Sequence, residues 1–100
     1  MPILVQLEDE DGRVVKRLAR VHLTNDDVEL ASPGSRCVGF IDPYGDTLFN
    51  RVQIPALAEE LDAIAASSTD EAGATRIRSI AEFARGAVGQ VHTYLRFVGD

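Results

Sequence analysis

The feature that most constrains this chain is a change in hydrophobic period towards its C-terminus. Residues 55–67 and the segment that ends near Gly89 repeat apolar side chains at helical spacing, whereas residues 91–98 alternate with a period of two. The alternation sets Val91, Thr93, Leu95 and Phe97 on one face against His92, Tyr94, Arg96 and Val98 on the other. Because this strand follows two helices, we expect it to insert beside or between earlier strands.

Four strands are predicted ahead of the helices, joined in pairs by two turns. Asp11-Gly12 is a hairpin signal, since glycine accepts the positive φ that such turns need. Asp42-Pro43-Tyr44-Gly45 has the residue types of a type I turn. The predicted strands cover residues 3–8, 14–19, 36–41 and 47–52. The fold class is therefore α+β, a four- to five-stranded, mainly antiparallel sheet with two helices packed on one face, in the order β-β-β-β-α-α-β.

The apolar stripes of the two helices predict which side each one buries. The first helix would bury Leu57, Leu61, Ile64 and Ala65, and the second would bury Ile77, Ile80, Ala81, Ala84 and Val88. Arg76 should then be mostly exposed. Residues 20–36 are less regular, with a short helical turn capped at Thr24-Asn25-Asp26-Asp27 and a loop at residues 32–35.

The charge of the chain excludes two classes of partner. Sixteen acidic and ten basic residues give a net charge of −6 over 100 residues, a length typical of a single domain, residues 1–100. That field repels phosphate backbones and anionic lipid headgroups, so we expect neither nucleic acid nor a membrane as partner. A single cysteine and an N-terminus without a secretory pattern favour a cytoplasmic protein.

No constellation of residues in the sequence compels catalysis. His22 and His92 lie far apart and lack companions at metal-ligand spacing, so we expect no metal and no cofactor. Cys37 lies in an apolar run, without the helix N-terminus that would lower its pKa and make it a nucleophile. We therefore assign no catalytic residues, and an enzyme is the less favoured interpretation.

The first functional hypothesis is a non-catalytic protein-binding module. Small size, acidity and the absence of a catalytic constellation suit a stoichiometric inhibitor of a basic protein, for instance an immunity protein or antitoxin that neutralises a bacterial toxin. Tyr44 has the amphipathic character favoured at interface centres. The candidate contacts are Asp42, Tyr44, Asp46, Asn50, Arg51 and the acidic helix face Glu59, Glu60 and Asp62, which we expect to point towards water.

The alternative is a domain that binds or transforms a small anionic ligand. Arginine suits carboxylates and phosphates because its planar fork donates two parallel hydrogen bonds. The side chains that would converge on the ligand are Asn50, Arg51, His92, Tyr94 and Arg96. A homodimer formed through an open sheet face is compatible with either hypothesis.

Two segments of the chain resemble a family of small bacterial proteins of about this length. They read D-P-Y-G-D-T-x-F-N-R-x-Q from Asp42 to Gln53 and Y-L-R-F-x-G-D from Tyr94 to Asp100. The resemblance implies no activity. It implies that the turn and the last strand form one structural unit, with Gly99 and Asp100 docked near the turn.

Overall fold

The last strand of the chain lies in the interior of the sheet. The computed structural model describes residues 2–90 and 92–99 and shows an α+β fold with a four-stranded antiparallel sheet in the order β2-β1-β4-β3. The strands are β1 (Leu4–Asp9), β2 (Val14–Arg17), β3 (Asp46–Asn50) and β4 (Thr93–Val98), and the helices are α1 (Asn25–Glu29), α2 (Ile54–Ser67) and α3 (Glu71–Ala87). The predicted class and the insertion of β4 between earlier strands are confirmed.

One face of the sheet supplies half of the core. Val5, Leu7, Leu95 and Phe97 are at most 3% exposed and belong to one apolar cluster with the inner sides of α2 and α3. Phe97 meets Phe49 of β3 edge to face, with ring centroids 5.7 Å apart. Burying each such side chain contributes about 1.5–3 kcal/mol.

The predicted helix faces are confirmed except at the end of α3. Leu57, Leu61 and Ile64 of α2 and the inner residues of α3 are buried. Val88, however, is exposed at the C-cap of the helix, and Ala87, the last helical residue, is buried in its place. Val91, the first residue of the predicted final strand, lies outside the described residues.

Polar side chains fix the irregular segment before β3 to the helices. Thr24 and Asp27 form a capping box at the start of α1, which confirms the predicted helical turn. Arg76 of α3 donates to both oxygens of Asp27 and to the carbonyl of His22. Arg76 is therefore a half-buried anchor, and the prediction that it is mostly exposed is wrong.

The predicted strand at residues 36–41 is wrong. The chain forms a 3₁₀ turn at Val38–Phe40 instead. The backbone amides of Arg36, Cys37 and Val38 donate to the carboxylate of Glu60 on α2, at 3.0–3.1 Å, and the hydroxyl of Ser35 donates to it as well. Three consecutive amides that point at one carboxylate cannot alternate in the way a β-ladder requires.

The turn before β3 and the end of β4 form one unit. The amide of Tyr44 donates to the Asp42 carboxylate at 2.9 Å, and the amide of Gly99 donates to the Gly45 carbonyl at 2.7 Å. A Cβ at position 99 would lie 2.5 Å from the carbonyl oxygen of Pro43, so only glycine fits this approach. The expected docking of Gly99 is confirmed, whereas Asp100 lies outside the described residues.

Candidate functional site

We call the side of the sheet that faces away from α2 and α3 the open face. The strand register sorts its side chains into three rows. The rows are Leu4, Val98 and Asp46; then Arg17, Gln6, Arg96 and Leu48; and then Val14, Glu8, Tyr94 and Asn50. Four residues proposed from the sequence therefore share one surface, namely Asp46, Asn50, Tyr94 and Arg96.

A chain of polar contacts crosses all four strands of the open face. Arg96 Nε donates to Glu8 Oε2 at 2.7 Å, and its Nη1 donates to Asp46 Oδ2 at 2.9 Å. Gln6 links Glu8 to Arg17 through a further pair of hydrogen bonds. Hydrogen bonding to Glu8 and Asp46 raises the pKa of Arg96, so its positive charge is secure. Glu8 is only 4% exposed, although no helix covers it.

Apolar side chains flank this polar network. Leu4 is 51% exposed and Leu48 is 45% exposed, while Tyr94 and Val98 are half-buried. The open face carries arginine and tyrosine, which are enriched at protein interfaces, together with Glu8 and Asp46, whose residue types are depleted there. It therefore combines exposed apolar side chains with an internally paired polar network.

The turn end of the sheet carries an exposed aromatic ring between acidic groups. Tyr44 is 71% exposed, and its hydroxyl lies 3.5 Å from the side-chain nitrogen of Asn25 at the start of α1. Asp42 holds the turn, and Asp46 begins β3 beside it. We call Asn25, Asp42, Tyr44 and Asp46 the turn patch.

The opposite end of the sheet forms a shallow depression of about 200 Å³. It is lined by Asn50, Arg51, His92, Thr93 and Tyr94. Four of the five residues proposed for an anionic ligand therefore come together here. The fifth, Arg96, is turned away to Glu8 and Asp46.

Two local features shape this depression. Asn50 Oδ1 accepts the amides of Val52 and Gln53, so its side-chain nitrogen remains a donor. His92 has φ +61°, an uncommon conformation for a residue with a Cβ, and its Nδ1 lies 3.4 Å from Glu10 Oε2. The depression is thus rich in donors but has a carboxylate at its rim.

The acidic residues of α2 divide into three environments. Glu59 is exposed, and Asp62 pairs with Arg85 of α3. Glu60 does not point towards water as predicted, because its carboxylate is wrapped by the loop at residues 35–38. Burial alone would raise the pKa of Glu60, but hydrogen bonds from Ser35 and the three amides outweigh it and lower the pKa.

Sequence reasoning missed the roles of Leu4, Leu48 and Glu8. The signal that could have located them is the alternation of β1 and β3, which places Leu4, Glu8 and Leu48 on the side opposite to the core. It missed the Asp27–Arg76 pair because 49 positions separate the two residues.

Two observations bear on metal binding and on the reactivity of the cysteine in the part of the chain that the structure describes. No group of three His, Cys, Asp or Glu side chains among residues 2–90 and 92–99 is placed to hold a metal ion. Burial, together with the charge of Glu60, raises the pKa of Cys37, so its thiol is protonated near neutral pH. Over the same residues, no helix has the length and apolar character needed to cross a membrane.

Comparisons with family models, with curated proteins and with solved structures find no significant match. The resemblance to small bacterial proteins stays a prediction.

Proposed function

We propose that this domain is a non-catalytic protein-binding module that recognises a basic protein through the turn patch. The observation that carries the proposal is the position of Tyr44, whose ring is 71% exposed on a turn that is held at both ends. A large amphipathic ring on a rigid support is the kind of residue that dominates binding energy at interface centres.

Rigidity supports the proposal because an ordered contact loses little entropy on binding. The amide of Asp42 donates to Thr47 Oγ1 at 2.9 Å, and the Asp42 carboxylate accepts the amide of Tyr44. Gly99 closes the turn from the other side through its bond to Gly45. The ring of Tyr44 is thus presented by backbone that is fixed before a partner arrives.

Electrostatics supports a basic partner. The net charge is −6, and Asp26 and Asp42 are exposed on or beside the turn patch. Complementary charge accelerates encounter and disfavours acidic competitors. A bacterial toxin such as a nuclease has the required basic surface, and the domain would then act as its immunity protein or antitoxin in the cytoplasm.

The test is capture of the partner from the source bacterium, followed by measurement of affinity with the purified pair. We expect a basic protein whose affinity falls with rising salt and falls at least about tenfold in Tyr44→Ser and in Asp42→Asn. Val52→Ser and Glu59→Gln are the matched controls, since both residues are exposed and lie away from the turn patch. An acidic partner, or binding that survives both turn variants, contradicts the proposal.

The depression at the other end of the sheet supports a second candidate, the binding of a small anion. Arg51 and His92 supply donors there, and Asn50 and Tyr94 line the same space. Titration with inorganic phosphate, followed by amide NMR shifts, should move the signals of residues 50–53 and 92–94. The shifts should vanish in Arg51→Met and persist in Arg36→Met, an exposed arginine elsewhere. Uniform small shifts, or none, would remove this candidate.

A further inference from the structure

We infer that the open face is the interface of a homodimer, formed by two copies of this chain packed sheet against sheet. The inference is separable from the proposed function, because Asp42 and Tyr44 lie on the turn at the end of the sheet and only Asp46 belongs to both surfaces. Three observations carry it, namely the uncovered side chains, their charge balance and their arrangement under a two-fold axis.

The charge balance of the open face favours a second copy over a basic partner. The positive charges of Arg17 and Arg96 balance the negative charges of Glu8 and Asp46. The open face is therefore neutral, although the whole chain has a net charge of −6. A basic protein would meet Arg96 on a central strand and Arg17 on the edge strand β2. A second copy meets a neutral surface, so self-association there costs little electrostatic repulsion.

The arrangement of the rows is self-complementary. A two-fold axis parallel to the strands, midway between β1 and β4, keeps each row in register and places β1 opposite β4 of the second copy. Leu4 then lies opposite Val98 of the second copy, and Gln6 lies opposite Arg96 of the second copy. Arg17 lies opposite Leu48 of the second copy. No like charges face each other, which is the requirement for an isologous interface.

The two sheets would pack in the nearly aligned manner of a β-sandwich, about 10 Å apart. The apolar groups that lose water are Leu4, Val14, Leu48, Val98 and the ring of Tyr94. Glu8 and Arg96 are already paired within each chain, so they enter the interface without an unpaired charge.

The size of the face sets the strength of the dimer. Strands about 4.8 Å apart and about 20 Å long give a surface of roughly 20 by 20 Å. That is about half of the 800 Å² per partner that a standard stable interface buries. We therefore expect a weak dimer, with a dissociation constant in the micromolar range rather than the nanomolar.

Sedimentation velocity over a concentration series of the full chain tests the inference. The wild type should shift from monomer to dimer as concentration rises. Leu4→Lys and Val98→Glu should each raise the dissociation constant at least about tenfold. In an equimolar mixture of the two variants, the new ammonium group at position 4 of one chain faces the new carboxylate at position 98 of the other. The unchanged Val98 and Leu4 face each other on the far side of the axis, so the mixture should recover the dimer that neither variant forms alone.

Leu30→Lys is the matched control, because Leu30 is 61% exposed at the end of α1, away from the open face. Its dissociation constant should equal that of the wild type. Circular dichroism and urea unfolding confirm that each variant is folded. If Val98→Glu is not, Leu48→Lys becomes the second single variant, and the single-variant dissociation constants alone decide in place of the mixture. A wild type that remains monomeric overturns the inference. A dimer that Leu30→Lys weakens and Leu4→Lys does not, or a mixture without recovery, overturns it as well.

Discussion

The two faces of the sheet are built from the same strands but differ in chemistry: one is apolar and covered by helices, and the other carries a polar network that the helices leave open. On the face covered by α2 and α3, Val5, Leu95 and Phe97 are excluded from water and hold the layers together. On the open face, neighbouring positions of the same strands carry Gln6 and Arg96. Both side chains donate hydrogen bonds to the carboxylate of Glu8. The difference teaches that strand alternation here separates core packing from the polar network of the open face within single strands.

The polar network keeps the open face ordered without a second layer. Glu8 is nearly as buried as a core residue, because Arg96 and Gln6 close over it. A buried polar side chain whose hydrogen bonds are made by its neighbours keeps one conformation, even where the apolar residues beside it remain exposed to water. The covered face is therefore expected to provide most of the stability, and the exposed apolar residues of the open face are expected to determine association.

The largest effect should come from a matched pair of leucines on opposite faces. Leu95→Ala removes a fully buried side chain and should lower the free energy of unfolding by about 2–5 kcal/mol. Leu48→Ala, on the neighbouring strand but 45% exposed, should change it by less than about 0.5 kcal/mol. Urea unfolding measures both. Equal losses would show that the open face also stabilises the fold.

A smaller effect is expected from the ion pair that crosses the open face. Arg96→Met leaves the carboxylate of Glu8 without its arginine and should lower the free energy of unfolding by about 1–3 kcal/mol. The double variant combines Arg96→Met with Glu8→Gln. Its loss of unfolding free energy should be smaller than the sum of the two single losses, because both single changes break the same contact. Additive losses in that cycle would mean that the two side chains do not stabilise each other.

A third comparison uses two adjacent glutamates of α2. Glu60→Gln weakens the contacts to the amides of Arg36, Cys37 and Val38 and should lower the free energy of unfolding by about 1–2 kcal/mol. Glu59→Gln also removes one negative charge, but from an exposed side chain, and should leave the free energy of unfolding almost unchanged. Thermal unfolding compares the two. If Glu59→Gln costs as much as Glu60→Gln, net charge is responsible and the loop contacts are not.

The smallest effect should appear in the pH dependence of stability. Burial raises the pKa of Asp27 and of Glu60, but hydrogen bonds from Arg76 and Thr24, and from Ser35 and the loop amides, outweigh it and lower both pKa values. The unfolded chain therefore takes up protons first as pH falls. The contribution of Asp27 and Glu60 to the free energy of unfolding is therefore complete above the ordinary carboxyl pKa of about 4 and is lost as the pH falls below it.

Urea midpoints between about pH 7 and about pH 3 should fall less steeply in Glu60→Gln than in the wild type, since one of the two depressed carboxyls is gone. Glu59→Gln serves as the control and should keep the wild-type slope. A Glu60→Gln profile parallel to that of the wild type would mean that the loop does not hold the ionised carboxylate.

The parts of the fold that follow from local pattern could be predicted from the sequence. The alternation of residues 93–98 and the stripes of α2 and α3 placed the core side chains on the correct faces. The turn at Asp42 was also within reach, because turn residues have local conformational requirements. These features depend on neighbours a few positions away.

The parts that failed depend on distant partners. Residues 36–41 read as a strand because their side chains are apolar, but Glu60 takes three of their amides from more than twenty positions away. Arg76 read as exposed because its partner Asp27 lies in another element. For the site, the sequence grouped Asn50, Arg51, His92 and Tyr94 correctly but could not show that Arg96 is engaged by Glu8 and Asp46.

The most direct test of the division between the two faces is an amide NMR dilution series on the uniformly labelled wild-type chain. We predict that lowering the concentration shifts the signals of β1 and β4 residues whose side chains lie on the open face, above all Leu4, Gln6, Arg96 and Val98. The signals of α2 and α3 should stay in place. Shifts centred on the helices, or spectra that do not change with concentration, would contradict the account.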